Sequence, residues 1–406
     1  MRAVIITIGT ELTDGRIIDT NTRYLARNLE RHGVRVALTL SVPDIPDEIV
    51  KALEFALGHG PGLILICGGL GPTRDDLTAP AIARALGLEC KLDPLAEAMV
   101  SDAVGSTRPG PGQMKQAIIP LGSIPVSPAG TAPGFILRAG EALIIVLPGV
   151  PSEMKSMWQA VSGDSAVKSI LESAETPVRK TLCLYGVGEP RVGEAVESLP
   201  GESQSGLDVS ICARYGEVIL AISGREEDRE QLNDSMKKIG GIFAEYVYSD
   251  GETIQEIVAE KLAHGRETLA VAESCTGGML SETITAVSGA SHFFLGGVIA
   301  YDNSVKTAIL KVKQDTLDEE GAVSEAVARQ MAEGVRAALG ARYGIGITGI
   351  AGPEGGSPQK PVGLVYISAS SNTETTVRAF NFTGARDDIR RASVTASLHM
   401  LNRLLP

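Results

Sequence analysis

Thr268-Leu269-Ala270-Val271-Ala272-Glu273-Ser274-Cys275-Thr276-Gly277-Gly278 is the stretch on which the architecture of the second half of the chain turns. Its opening residues are aliphatic or β-branched with no polar alternation, the texture of a strand buried on both faces, here Thr268–Ala272. The paired glycines then turn the chain straight into an amphipathic helix over Gly277–Val287. Strand, tight turn and helix make the βα half of a parallel α/β unit. The alternation continues outward from it. Helix Thr253–His264 precedes it, and strand Gly296–Tyr301, helix Ser324–Leu339 and strand Tyr343–Thr348 come after it. Strands Gly363–Ala369 and Thr375–Phe382 and a helix from Asp387 to Leu404 close the chain.

The first 162 residues share this texture. Ala3–Ile8, Thr22–His32, Val34–Leu40, Asp47–His59 and Leu63–Cys67 spell βαβαβ, and Ala142–Leu147 reads as a further buried strand ahead of a helix starting near Ser152. Glycine and proline accumulate between Gly105 and Gly134, where loops must interrupt regular structure. Between the two α/β segments lie short alternating strands at Lys180–Tyr185, Val209–Ala213 and Glu217–Ser223, with a charged helix at Glu226–Ile239. The expected division is an α/β domain over 1–164, a small α+β spacer or docking domain over 165–250 with its sheet open on one side, and an α/β/α domain over 251–406.

Composition narrows the function. The 406 residues exceed one ordinary core. A formal net charge of −12 repels a phosphate backbone, and no basic, aromatic-interleaved patch offsets it, so long nucleic acids are not expected partners. The five cysteines are scattered without C-x-x-C spacing, which argues for a reducing compartment and against structural zinc. The early apolar run Ala3–Ile8 is too short for a signal-peptide core, and no stretch is long enough to span a membrane. A cytoplasmic protein is expected.

Ser274 stands at a strand-to-helix turn, beside backbone N–H groups that have no partner within the helix. Such a place supplies a nucleophile and an oxyanion hole together. It equally suits a helix cap, the ordinary role of a serine or threonine there. A serine nucleophile needs a base. Of the five histidines, His264 and His399 fall on helices outside any motif and His292 lies among aromatics, so a serine–histidine–aspartate triad is poorly supported. Tyr301 and Lys306 are the better candidates, because a lysine desolvated in a pocket loses its proton readily. A solvated helix position is the alternative for Lys306. Cys275 has no histidine nearby in sequence to activate it. A third segment, Gly346 to Gly356, comes after a strand as a phosphate- or ribose-cradling loop would. In the first domain, strand Leu63–Cys67 runs into Gly68-Gly69-Leu70-Gly71-Pro72-Thr73-Arg74-Asp75-Asp76-Leu77-Thr78. Glycines let backbone amides approach a phosphate, while the two aspartates repel it unless a divalent cation lies between. Asp76 or Thr78 as a plain helix cap is the competing reading.

Together these segments resemble the CinA family of competence/damage-inducible proteins. The resemblance rests on Ala272 to Gly278, on Tyr301, Asn303 and Lys306, on Gly321-Ala322-Val323-Ser324, on Thr348-Gly349-Ile350-Ala351-Gly352-Pro353 and on Lys360-Pro361-Val362-Gly363. It implies a nicotinamide-nucleotide amidohydrolase domain that converts nicotinamide mononucleotide to nicotinate mononucleotide and ammonia without a metal or other cofactor. Ser274, Lys306, Tyr301 and Thr348 are then the candidate catalytic residues. Oxyanion donors are expected around Cys275 to Gly277. Substrate contacts are expected from Cys275, Thr276, Gly277, Gly278, Asn303, Gly349 and Gly352, and Arg386 or Arg390 would hold the 5′-phosphate.

The first domain resembles the molybdopterin-binding fold, and the CinA version of it more closely, through Gly9-Thr10-Glu11-Leu12, Asp19-Thr20-Asn21, the glycine loop, Lys115-Gln116-Ala117, Gly130 to Phe135 and Leu147 to Met154. This resemblance implies a metal-dependent ADP-ribose pyrophosphatase that releases AMP and ribose 5-phosphate. Gly68, Gly69, Gly71, Thr73 and Asn21 are its candidate phosphate contacts, and Asp75, Asp76 and Glu11 its candidate ligands for a divalent metal. One departure stands in the middle domain, where Gly186-Val187-Gly188-Glu189-Pro190 replaces the expected Gly-x-Gly-Glu-Ser. A homodimer is compatible with this organisation. Binding without hydrolysis, a pterin enzyme of cofactor synthesis, and a non-catalytic nucleotide sensor linked to competence or DNA damage remain the alternative readings.

Overall fold

Aliphatic runs without polar alternation become central strands. The computed structural model, which describes residues 1–106, 108–174, 177–199 and 207–406, places them in two units, Met1–Pro177 and Val178–Pro406. In the first unit the strands are β1 (Arg2–Ile8), β2 (Arg35–Val42), β3 (Leu63–Cys67), β4 (Cys90–Leu92), β5 (Ile118–Pro120), β6 (Ile124–Val126), β7 (Gly134–Ala139) and β8 (Ala142–Leu147). Six of them form one sheet in the order β2-β1-β3-β8-β7-β6, while β4 and β5 pair separately. β1, β2, β3 and β8 run parallel, and β7 and β6 add an antiparallel edge. Every residue of β3 and β8 is buried because helices cover both faces.

The first unit runs past residue 164. Helix Ser165–Glu172 buries Val167 and Leu171 in the same core as Trp158 and Leu25, so its apolar face packs within the compact unit that ends at Pro177. The Gly/Pro-rich stretch 105–134 is less irregular than expected, since it holds helix Pro111–Lys115 and strands β5 and β6.

The second unit begins with β9 (Val178–Tyr185), β10 (Asp208–Arg214), β11 (Glu217–Gly224) and β12 (Val247–Ser249), an antiparallel sheet in the order β10-β11-β9-β12. Helices Glu189–Glu197 and Arg229–Ile242 cover one face through Val192, Leu232 and Ile239. The departure at Pro190 is accommodated in the first turn of Glu189–Glu197, where proline leaves no needed N–H unpaired. The other face is not wholly open. Tyr185 stacks on His399 with centroids 3.7 Å apart, and Glu217 accepts hydrogen bonds from Tyr248 Oη (2.8 Å) and His399 Nε2 (2.9 Å). His399 belongs to the last helix, so this α+β segment packs with the C-terminal sheet within the compact unit Val178–Pro406.

That sheet is made of β13 (Leu269–Glu273), β14 (Phe294–Ile299), β15 (Tyr343–Gly349), β16 (Leu364–Ser370) and β17 (Thr375–Asn381), in the order β14-β13-β15-β16-β17. β14, β13 and β15 are parallel and the last two strands antiparallel. Helices Ile254–Gly265, Met279–Thr285 and Arg386–Leu404 pack on one face, and helix Glu325–Leu339 packs on the other. Close packing there requires glycine, because a Cβ at Gly334 would lie 2.0 Å from the Leu310 carbonyl oxygen. In both α/β sheets the chain leaves the first parallel strand in one direction and later crosses back to its other side. Open α/β sheets bind ligands outside the carboxyl ends of strands at such a reversal.

Candidate functional site

In the second unit that reversal lies between β13 and β15, and Ser274 is the first residue beyond β13. Its N–H donates to Ile347 O (3.0 Å), while Ala300 N–H donates to Glu273 O (2.7 Å). Ser274 is thereby flanked by the ends of both neighbouring strands, with Thr348 on one side and Ala300–Tyr301 on the other. Its hydroxyl has no hydrogen-bond partner among the described residues.

Neither Ser274 nor Thr276 caps the helix after the turn. The buried carboxylate of Glu273 does, accepting from the N–H groups of Gly278 (3.0 Å), Leu280 (3.0 Å) and Ser281 (2.8 Å) and from Ser281 Oγ (2.7 Å). Gly277 N–H is also spent, on Ser274 O at 3.1 Å. The expected oxyanion donors therefore narrow to Cys275 and Thr276, whose N–H groups bond to no backbone carbonyl among the described residues. Gly277 and Gly278 have φ of 57° and 97°, the left-handed region that lets the turn close. The Glu273 cap is what the sequence reading missed, although an acid just before a glycine turn and a helix start was a visible signal.

Lys306 is 1% exposed, and its Nζ donates to the backbone oxygen of Tyr301 at 3.0 Å. Burial pushes its pKa down, against the smaller opposing pull of Asp302 and Cys275. It is a desolvated amine and not a solvated helix residue. Cys275 is buried and its thiol is pushed up to about 11 by burial, which leaves it protonated and inert at neutral pH.

Tyr301 is not a buried strand terminus. It lies beyond β14 and is 61% exposed, with its Oη accepting from Arg386 at 3.0 Å. Arg386 also donates to Gly352 O (2.6 Å), and Arg390 donates to Thr276 O (2.7 Å). The two arginines brace the last helix against the loops around Ser274 and Gly352, a use that the sequence reading, which gave one of them to the 5′-phosphate, did not contain. Thr348 Oγ1 donates to Ala322 O (2.7 Å), which spends its proton on the loop at 321–324. Asn303 is exposed on the first turn of helix Asn303–Ala308, and Gly349 and Gly352 lie at and just beyond the end of β15.

In the first unit, Gly9, Gly68 and Pro148 come directly after the carboxyl ends of β1, β3 and β8. They open on a cleft of about 370 Å³. Gly68, Gly69, Gly71, Glu11, Asp75 and Asp76 line it, as the sequence predicts. Asp44, Glu153, Gln116 and Thr131 line it too; the last three lie in stretches that carry the family resemblance, but none was assigned a role in the site. Gly68 has φ 112°, and a Cβ there would lie 2.1 Å from Ile8 O, so only glycine passes under β1. Thr73 turns inward on its own loop: its N–H (2.8 Å) and hydroxyl (2.6 Å) both donate to Asp76, and its hydroxyl also donates to Asp75. That hydroxyl, more than the neighbouring Lys115, holds the Asp75 carboxyl below its ordinary range. Asp76 and Thr78 are not helix caps, since Thr78 Oγ1 reaches back to Gly68 O at 2.8 Å. Asn21 lines an adjoining pocket, and its amide donates to Gly149 O at 2.7 Å rather than facing the glycine loop. Glu11, Asp75 and Asp76 share one cleft, but no three carboxylate, imidazole or thiol groups among the described residues form a ready metal cage.

Fold and sites together define a chain of two α/β units, one with a glycine-loop cleft ringed by carboxylates and the other with a strand-to-helix serine turn and a buried lysine. Residues 4–165 match the family described as "Probable molybdopterin binding domain", and residues 251–405 match "CinA C-terminal domain". The chain is 38% identical over 413 residues to a "CinA-like protein" of Citrifermentans bemidjiense, covering all of this chain and 98% of that protein. It is 37% identical over 422 residues to a "CinA-like protein" of Mycolicibacterium vanbaalenii, again covering 100% and 98%. Among solved structures, a CinA protein of unknown function from Thermoplasma acidophilum is 38% identical, with a TM-score of 0.39 and coverage of 40% of this chain and 95% of that one. The chain belongs to the CinA family. No helix is long and apolar enough to cross a membrane among the described residues.

Proposed function

We propose that the C-terminal site hydrolyses the carboxamide of nicotinamide mononucleotide to nicotinate mononucleotide and ammonia. The observation that carries this reading is the buried amine of Lys306, bonded to the Tyr301 backbone oxygen just beyond β14, the strand paired with β13, whose carboxyl end carries the unpartnered Ser274 hydroxyl. Neutral Lys306 accepts the Ser274 proton as Oγ attacks the carboxamide carbon, and the N–H groups of Cys275 and Thr276 face the resulting oxyanion. The proton then passes to the departing nitrogen. Arg386 donates to Tyr301 Oη, which leaves the phenolic proton free to point at the leaving group or at the water that cleaves the acyl-serine. Release of ammonia from nicotinamide mononucleotide by the intact chain in excess EDTA tests the reading, and absence of release rejects it.

The lowered pKa of Lys306 adds a pH signature. The base acts when neutral, so kcat/KM rises with pH and levels off at a midpoint below the roughly 10.4 of an ordinary lysine. Lys306→Arg, which stays charged, removes both the activity and the rising limb. A profile set instead by the carboxylate range, or unchanged in Lys306→Arg, contradicts the assignment.

For the first unit we infer hydrolysis of ADP-ribose to AMP and ribose 5-phosphate, assisted by a divalent cation. Support comes from the carboxylates that share a cleft with the glycine loop. Magnesium is commonly held by one or two carboxylates with phosphate oxygens and water completing the shell, so the donor set fits without a preformed cage. Asp75 and Asp76 would hold the ion, which would polarise the phosphoryl oxygen. Asp76→Asn is expected to lower ADP-ribose turnover by roughly 10²-fold or more while leaving ammonia release unchanged. Equal turnover in the variant, or turnover that survives EDTA, counts against the cation.

A further inference from the structure

We propose that Lys360 is a positioning residue of the C-terminal site: by clamping the loop over 320–324 it fixes the Thr348 hydroxyl as a hydrogen-bond acceptor, which admits a carboxamide and disfavours the carboxylate that hydrolysis makes of it. The inference rests on the amidohydrolase reading and adds to it the device that tells substrate from product.

Four successive carbonyls of that loop each accept from a side chain. Lys360 Nζ donates to Glu320 O (2.6 Å) and Val323 O (2.7 Å), Ser324 Oγ donates to Gly321 O (3.0 Å), and Thr348 Oγ1 donates to Ala322 O (2.7 Å). Lys360 is half-buried and no carboxylate pairs with it among the described residues, so its charge is spent on backbone oxygens. Hydrogen bonds from an ammonium are stronger than those between neutral groups, which suits a clamp. Lys360 is itself held, since its N–H donates to Ser357 Oγ (3.0 Å) and its carbonyl accepts from Ser357 N–H (2.8 Å).

Through Ala322 the clamp reaches the reacting end of the sheet. Thr348 follows Ile347, whose carbonyl accepts from Ser274 N–H, and it is 1% exposed. Ala270 and Ala272 of β13 share a core cluster with Val327 and Met331 of helix Glu325–Leu339, and Gly344 and Gly346 of β15 lie against the backbone of the same helix at Ala332 and Ala328. Alternation carries Ser274 and Thr348, the next in each row, to that same side. A threonine hydroxyl has one proton to give. With that proton held by Ala322 O, Thr348 offers an occupant only lone pairs, and it accepts no other hydrogen bond among the described residues. A carboxamide nitrogen has hydrogens to place on such an oxygen. A carboxylate has none and meets it with a like partial charge, so the acid is released. Once Lys360 lets the loop go, the hydroxyl is free to turn and donate to either.

The test is calorimetric binding to the intact chain carrying Ser274→Ala, which consumes neither probe, with nicotinamide mononucleotide and nicotinate mononucleotide. The two Kd values should favour the amide, and Thr348→Val and Lys360→Met should each cut that preference by roughly tenfold. Thr348→Ser, which keeps the hydroxyl, should retain it. Because Lys360 acts through Thr348, adding Lys360→Met to Thr348→Val should change the ratio no further. A loosened fold would weaken both probes alike and leave the ratio where it was. Should Lys360→Met fail to fold, Lys360→Gln takes its place. No amide preference in the parent, or a ratio unchanged by the substitution at Lys360, overturns the inference, and ammonia release by the chain with Ser274 intact then leaves the hydrolytic reading standing. A preference lost in both variants of a chain that never releases ammonia keeps the inference and ends the hydrolytic reading. If neither probe binds, both fall.

Discussion

Ser274→Ala is expected to reduce ammonia release from nicotinamide mononucleotide by roughly 10³- to 10⁶-fold, the range in which loss of a nucleophile leaves only binding and oxyanion stabilisation. Lys306→Ala should cost roughly 10²- to 10⁴-fold, as loss of a general base does. The pair acts as a unit, so the double variant should be little worse than Ser274→Ala alone. Cys275→Ala sharpens the test: its thiol is held protonated by burial, so removing it should leave most of the activity, whereas a cysteine nucleophile would be eliminated with it. The assay is run with EDTA to exclude contamination by metal-dependent hydrolases. Full activity in Ser274→Ala removes the leading claim, and no activity in the intact chain brings the nucleotide-sensor reading forward.

The second large effect is on stability. Glu273→Ala withdraws four hydrogen bonds from a carboxylate with no solvent exposure and leaves three backbone donors without their partner. A buried donor left unsatisfied costs about 1–3 kcal/mol, so a loss of roughly 3 kcal/mol or more is expected. For a unit of this size that lowers Tm by about 6–12 °C. Glu273→Gln keeps one acceptor oxygen and should fall between the two. The chain's one tryptophan, Trp158, lies in the first unit. Its fluorescence should report an unshifted transition while circular dichroism shows the second unit melting early. A variant melting at the wild-type temperature would mean that water replaces the carboxylate without penalty. Loss of the cap should also loosen the Ser274 turn, so activity should fall below Tm as well.

Sequence by itself determined the features that obey local rules. The uninterrupted aliphatic runs at 63–67, 142–147 and 268–272 could only be strands covered on both faces, and the glycine turns after them marked where loops would gather. Ser274, Lys306 and the loop at 68–76 were legible because strand-to-helix turns carry free N–H groups and because few other residue types were present to act as base. Three things were settled only by the fold. Helix Ser165–Glu172 joined the first unit because its apolar side met the Trp158 core, a preference no local pattern encodes. Arg386 and Arg390, indistinguishable in sequence from a solvated helix face, brace Tyr301 and Thr276, since the last helix returns from more than 80 residues away to pack beside them. Glu273 became a cap and Asp76 did not, because alternation along β13 turns one acid inward to the helix N-terminus while Thr73 draws the other onto its own loop. Backbone propensity and periodicity are properties of neighbours along the chain. Burial, hydrogen-bond partners and pKa belong to neighbours in space, and only tertiary structure decides those.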